Sequence, residues 1–192
     1  MAGLFKPARH GGASLTLDPV EASILRSLTV QMLELLGPGD EPAEDDDPLA
    51  HLFAEGPSKP PEDPALARLF PDAYGEGEDA EEYSAEFRRF TENDLRTRKR
   101  DDALALIRSI DSADVDRKAR PVLRLGAEDC KHWLGALNDL RLTLGTRLEL
   151  TEDPEEAESL YRLPDDDPRK PLMMAYLWLG GLQETLLEVL TR

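Results

Sequence analysis

The sequence holds a single cysteine, Cys130, so no disulfide can form within the chain, and a small secreted fold stapled by bridges is excluded. It is also short of positive charge: 23 Lys and Arg stand against 40 Asp and Glu, a formal net charge of -17. A phosphate backbone or an anionic membrane surface is repelled on average, which argues against direct DNA binding unless a locally basic face overcomes the repulsion. Long apolar runs are missing as well. The longest, Leu172 to Leu179, is far too short to span a bilayer, and the opening MAGLFKPARHGG lacks the apolar core of a signal peptide. No membrane segment and a cytoplasmic location are therefore expected.

Catalytic vocabulary is equally sparse. There is no Gly-flanked serine on a strand-to-helix turn, no histidine with a convincing triad partner and no Gly-rich phosphate loop ending in Lys. A zinc site on Cys130 and His132 lacks a second cysteine, its two members point to different helix faces, and His10 and His51 fall in segments expected to be mobile. No enzyme activity, catalytic residue, metal or cofactor is expected.

What is present is helical periodicity. The stretch Ala127–Leu150, AEDCKHWLGALNDLRLTLGTRLEL, places Cys130, Trp133, Leu134, Leu137, Leu140, Leu144 and Leu148 on one face, which predicts a central buried helix. Asp18, Pro19 and Glu21 form a capping box with proline at the first helical position, opening a helix that Gly37, Pro38 and Gly39 stop. Val20, Ile24, Leu25, Leu28, Met32, Leu35 and Leu36 give it a broad apolar face. A second long helix is expected from Glu78 to Ile110, with Tyr83, Phe87 and Phe90 and then Leu104, Ile107 and Ile110 in helical steps. Pro171 opens the last one. Its first half is apolar nearly all round and reads as a buried strut, while Gly180 and Gly181 are expected to admit another helix closely. Ser14–Leu17 alternates like a strand, and its expected partner is Pro121–Leu125.

These elements predict a mainly α fold: three or four long helices, a minimal two-stranded β element and an acidic, Pro-rich loop insert. The expected organisation is a flexible arm over 1–13 and one helical domain over 14–192, with a mobile insert at about 40–77. Two short apolar clusters inside the insert, Leu49 with Leu52 and Phe53, and Leu66 with Leu69 and Phe70, are candidates for docked helical turns. A further turn is expected around Ala157–Tyr161.

One local reversal of sign stands out. Arg88, Arg89, Arg96, Arg98, Lys99 and Arg100 concentrate positive charge in an acidic chain. As a contact face they would offer planar forks to a protein partner; otherwise they pair with neighbouring acids. Asn138, Asp139 and Arg141 sit away from most leucines of the central helix and read as a polar clasp, Asp139 holding a basic side chain of the preceding helix. Cys130 is either a small buried hydrophobe or a reactive thiol.

Three phrases, LDPVEASILRSLTVQMLELLGPG (17–39), EFRRFTENDLRTRKRDDA (86–103) and ALNDLRLTLGTRL (136–148), resemble an actinobacterial family long described only as a domain of unknown function, which includes the oxidative-stress transcription regulator AosR. The resemblance implies a non-enzymatic regulator of redox-stress transcription that contacts a sigma factor and RNA polymerase. It also implies redox sensing through an intramolecular disulfide, from which this chain departs because Cys130 is alone. A redox switch here needs an intermolecular disulfide, a sulfenic acid or a mixed disulfide. An adaptor delivering clients to a cytoplasmic protease is the alternative, and the helical stripes suit a homodimer as well as a monomer.

Overall fold

A computed structural model of the chain describes residues 3–38, 56–75, 77, 79–151, 159 and 162–191, the side chain of His10 excepted. Most of the acidic run, with Leu49, Leu52 and Phe53, lies outside the described residues, as does nearly all of the turn expected at Ala157–Tyr161.

Strand β1 (Lys6–Pro7) leads through a 3-10 turn at Arg9–Gly11 into β2 (Ala13–Thr16). Helix α1 (Pro19–Leu36) follows, then a short α2 (Pro64–Leu69) and the long α3 (Ala80–Asp111). A hairpin of β3 (Asp114–Val115) and β4 (Pro121–Leu125) precedes α4 (Ala127–Arg147) and α5 (Lys170–Leu190). The sheet is antiparallel in the order β1-β2-β4-β3.

The β element is thus larger than its sequence signal. β2 pairs with β4 with Leu15 opposite Leu123, but each gains an outer neighbour of only two residues, too short to show alternation. The expected flexible arm is also corrected from residue 3 onward. β1 pairs with β2, and Phe5 is buried with its ring edge-on to Trp133 at 5.7 Å. Gly12 lets the chain pass close to the end of β4, because a Cβ there would lie 2.3 Å from the Leu125 carbonyl oxygen.

α4 occupies the middle, packed on α1, α2, α3 and α5. Cys130, Trp133, Leu137, Leu140, Leu144 and Leu148 of its predicted face are buried, and Leu134 is half-buried. Trp133 also donates from Nε1 to Ser109 Oγ at 3.2 Å, so the indole is held at both its apolar body and its polar edge. The sheet closes one end of this core with Ala13, Leu15, Leu123 and Leu125. α1 begins as its residues dictate: Asp18 Oδ1 accepts from Val20 N at 2.9 Å and Asp18 N donates to Glu21 Oε2 at 2.8 Å. It ends at Gly37, whose φ of 74° suits glycine. α2 is started by Asp63, which accepts from Ala65 N and Leu66 N, and it delivers Leu69 and Phe70 to the core.

α5 departs from expectation. It is not buried all round: Met173, Leu179, Leu182 and Leu186 face the core, while Met174, Leu187 and Leu190 are exposed. Nor do its glycines receive a helix. A Cβ on Gly180 would meet the Arg141 guanidinium at 3.5 Å, and one on Gly181 would meet nothing within 4 Å.

The β3–β4 turn carries its own pH signature. Asp116 accepts from the backbone N–H groups of Arg120 and Lys118 and from the Arg120 guanidinium, which together lower its carboxyl to about 2. A carboxylate held below its unfolded value contributes stability that is complete above that value and is lost as pH falls through the folded one. The difference in urea midpoint between the parent chain and Asp116→Asn is therefore expected to be constant near neutrality and to vanish as pH approaches 2. A difference independent of pH would contradict this account.

Candidate functional site

In the basic stretch of α3 the structure follows the pairing alternative for Arg88, Arg96 and Lys99. In the first half of α3 the aromatic side chains face outward: Tyr83, Phe87 and Phe90 are 54%, 50% and 69% exposed. The inward face is Ser84, Arg88 and Glu92. Ser84 Oγ bonds both the N–H and the carbonyl of Tyr74, at 3.1 Å each. Arg88, only 4% exposed, donates to Glu92 Oε2 at 2.6 Å and to Asp72 Oδ1 at 2.8 Å. The other oxygen of Glu92 accepts from Arg96 at 2.7 Å. Burial works against the Arg88 charge, but Asp72 and Glu92 more than offset it, and the guanidinium sits above its ordinary value.

One turn further on, the cations serve α1. Arg96 donates to the Leu36 carbonyl and lies over the Phe70 ring, 4.5 Å from its centroid. Arg100 donates to the Gly37 carbonyl. Both thus answer carbonyls at the negative end of α1. The contact face read from the sequence is corrected accordingly: Arg88 is withdrawn from the surface, and Arg96 and Arg100 are largely committed to α1. Arg98 stays exposed on the same side of α3 as Tyr83, Phe87 and Phe90, and Arg89 is half-buried.

The ALNDLR phrase divides between two helices. Lys99 Nζ donates to Asp139 Oδ1 at 2.7 Å, tying α3 to α4. Burial pushes the Asp139 carboxyl above its ordinary value, a rise that Lys99 opposes. Arg141 turns the other way, donating to Gln183 Oε1 at 2.7 Å and to the Tyr176 hydroxyl at 3.3 Å, with its guanidinium 5.0 Å from the Tyr176 ring centroid. Asn138 is exposed. A pair that sequence reasoning missed lies beside them: His132 Nδ1 and Asp102 Oδ1 are 2.7 Å apart across α3 and α4. Their 30-residue separation leaves no local signal.

Cys130 is fully buried, at 0% exposure. Burial raises its thiol above the ordinary value, Asp129 adds to the rise, and a hydrogen bond with the Ala13 backbone opposes it. The reactive form is the thiolate, so this is the environment of a core side chain. Among the described residues no group of three His, Cys, Asp or Glu is arranged to hold a metal ion, and no helix is long and apolar enough to cross a membrane.

Fold and site together define a mainly helical protein with a small antiparallel sheet, in which most of the conspicuous charge of α3 is turned inward to join helices. The chain belongs to the family described as "Domain of unknown function (DUF2017)", whose model matches residues 1–190. It is similar to the oxidative stress regulator AosR of Mycobacterium tuberculosis (strain ATCC 25618 / H37Rv), with 33% identity over 187 residues covering 91% of this chain and 80% of that protein. The putative oxidative stress regulator AosR of Mycobacterium leprae (strain TN) is 30% identical over 187 residues, covering 90% of this chain and 79% of its own length. No solved structure matches the chain.

Proposed function

We propose that this chain is a non-enzymatic cytoplasmic regulator of the oxidative-stress response that acts on transcription by contacting a sigma factor and RNA polymerase. The carrying observation is the 33% identity, over 91% of the chain, to proteins named as oxidative stress regulators. Burial of Cys130 supports a role exercised through protein contacts rather than through thiolate chemistry at that residue. Arg98 remains the exposed member of the basic stretch, about two turns beyond Phe90 on the same side of α3, and Phe87, Phe90 and Arg98 are the contact residues we assign to the partner.

The test is affinity capture of the tagged chain from its own lysate, with and without peroxide, read by mass spectrometry. Recovery of RNA polymerase with a sigma factor is expected, unchanged by Cys130→Ala and reduced at least about tenfold by Arg98→Glu with Phe90→Ser. Recovery of protease and chaperone components instead would replace the regulator with the client-delivery adaptor. Loss of capture in Cys130→Ala, with the fold intact by circular dichroism, would return the redox role to that thiol.

A further inference from the structure

α1 and α5 leave an apolar groove between them, of about 570 Å³, walled by Ile24 and Leu28 on one side and Leu172, Met174, Ala175 and Trp178 on the other. Ile24 and Met174 are 44% and 58% exposed, and Val20, one turn before Ile24, is 64% exposed. Soluble surfaces scatter single apolar residues, but a contiguous apolar trough of this kind marks a place where something docks.

Its chemistry narrows the occupant. Among the described residues Glu21 is the one charged member of the lining, and its carboxylate is engaged with the Asp18 N–H. A small ligand would find almost nothing to orient it, because the walls offer hydrocarbon and indole face rather than spaced donors and acceptors. Two helices forming the walls suit a third helix laid between them. From Glu21 to Leu28 the α1 wall runs about 10 Å, room for about two turns. The charge around the groove sets the sign of the partner. Asp18 and Glu21 stand at the start of α1, and Asp165, Asp166 and Asp167 come just before α5; Lys170 and Arg169 neutralise Asp165 and Asp167, which leaves Asp18, Glu21 and Asp166 as uncompensated carboxylates among the described residues. The chain as a whole carries -17, so a second copy is repelled, whereas a basic partner is attracted.

We infer that the α1–α5 groove is the docking site for a basic amphipathic helix of a partner protein, whose apolar face enters between Ile24 and Met174 while its Lys and Arg meet the acidic rim. This deepens the protein-contact reading and rests on it for its cellular setting, but the binding event is measured on the isolated chain. Peptide binding and lysate capture can therefore fail independently.

The probe is a synthetic helical peptide of Leu and Lys at amphipathic spacing. Its controls are a scrambled version of the same composition and a version with Glu in place of Lys. The readout is the indole N–H signal of Trp178, assigned through Trp178→Phe. It is distinct from that of Trp133 because Trp133 donates to Ser109 whereas the Trp178 Nε1 has no acceptor among the described residues. A saturable shift of Trp178 with Trp133 unmoved is expected for the Lys peptide alone, weakened at least about tenfold by Ile24→Glu or Met174→Glu. Both side chains are exposed, so these changes leave the core alone. Equal binding of the scrambled peptide would mean charge attraction without a groove and would overturn the proposal, as would an unmoved Trp178. So would a dimer in sedimentation that Met174→Glu converts to monomer, since the occupant would then be a second copy.

Discussion

Replacing Glu92 with Ala is expected to destabilise the chain by about 3–5 kcal/mol, the usual result of removing one partner from a buried ion pair. Glu92 is 3% exposed and its two oxygens serve two different cations, Arg88 and Arg96. Without it Arg88 keeps, among the described residues, only Asp72, which is half in water, while its own position stays buried. For a chain of this size the loss amounts to a fall in Tm on the order of 10 °C. The complementary substitution separates cost from necessity. Arg88→Met with Glu92→Leu removes both buried charges, leaves Arg96 on the Leu36 carbonyl and the Phe70 ring, and is expected to cost under about 1 kcal/mol or to stabilise. Urea unfolding of both variants decides it. A Glu92→Ala loss below about 1 kcal/mol would show that the network is solvated and that α3 is held by other contacts.

Asp139→Arg is expected to be as severe, at about 4 kcal/mol or more, because it sets two cations against each other where α3 meets α4. The Lys99 side chain is 12% exposed and that of Asp139 4%, so neither has a free route to water. Thermal unfolding of the single variant, of Lys99→Asp with Asp139→Arg, and of Lys99→Met with Asp139→Leu distinguishes lost pairing from lost packing. The charge swap should recover a substantial part of the stability, and the apolar pair should match or exceed the parent. The pH dependence has a definite sign. Burial raises the folded carboxyl of Asp139, so its contribution to stability is complete below the unfolded value and is lost as pH rises through the folded one. The advantage of the apolar pair should therefore grow from acid toward neutral pH. This trend is opposite in sign to that of Asp116, whose carboxyl is lowered. An advantage that shrinks with rising pH would mean that Lys99 outweighs burial at Asp139.

Several elements were legible because their causes are local. The α1 start is written in Asp18, Pro19 and Glu21, and all three sit within one turn of the groups they satisfy. The buried face of α4 follows from side chains recurring at three and four, a spacing that no distant contact needs to supply. The pairing of β2 with β4 was readable from the alternation of Ser14–Leu17 and from the β-favouring residues of Pro121–Leu125 with proline at the first position. The outer strands were not, since two residues each carry no period and are held by neighbours already in place. Phe5 gave no sign of its burial, because its partner Trp133 lies far along the chain.

The candidate site was harder to read. In α3 the aromatics and the arginines are both at helical spacing, so periodicity defines two faces without saying which turns inward. Asp72 and the Leu36 and Gly37 carbonyls settle it by supplying Arg88, Arg96 and Arg100 with partners, whereas nothing comparable covers Phe90. The α1–α5 groove is a still plainer case: each helix shows its apolar residues in sequence, but whether Ile24 and Met174 are covered depends on where the two helices come to rest. By itself the sequence determined the excluded disulfide, the acidic charge, the helix starts and the core stripe of α4, because composition, caps and periodicity act within a few residues. Only the tertiary structure decided that the basic stretch is mostly an internal tie and that α1 and α5 share an open apolar trough. Burying a charge depends on partners far away in the chain, and leaving a hydrophobic face bare depends on where every other helix packs.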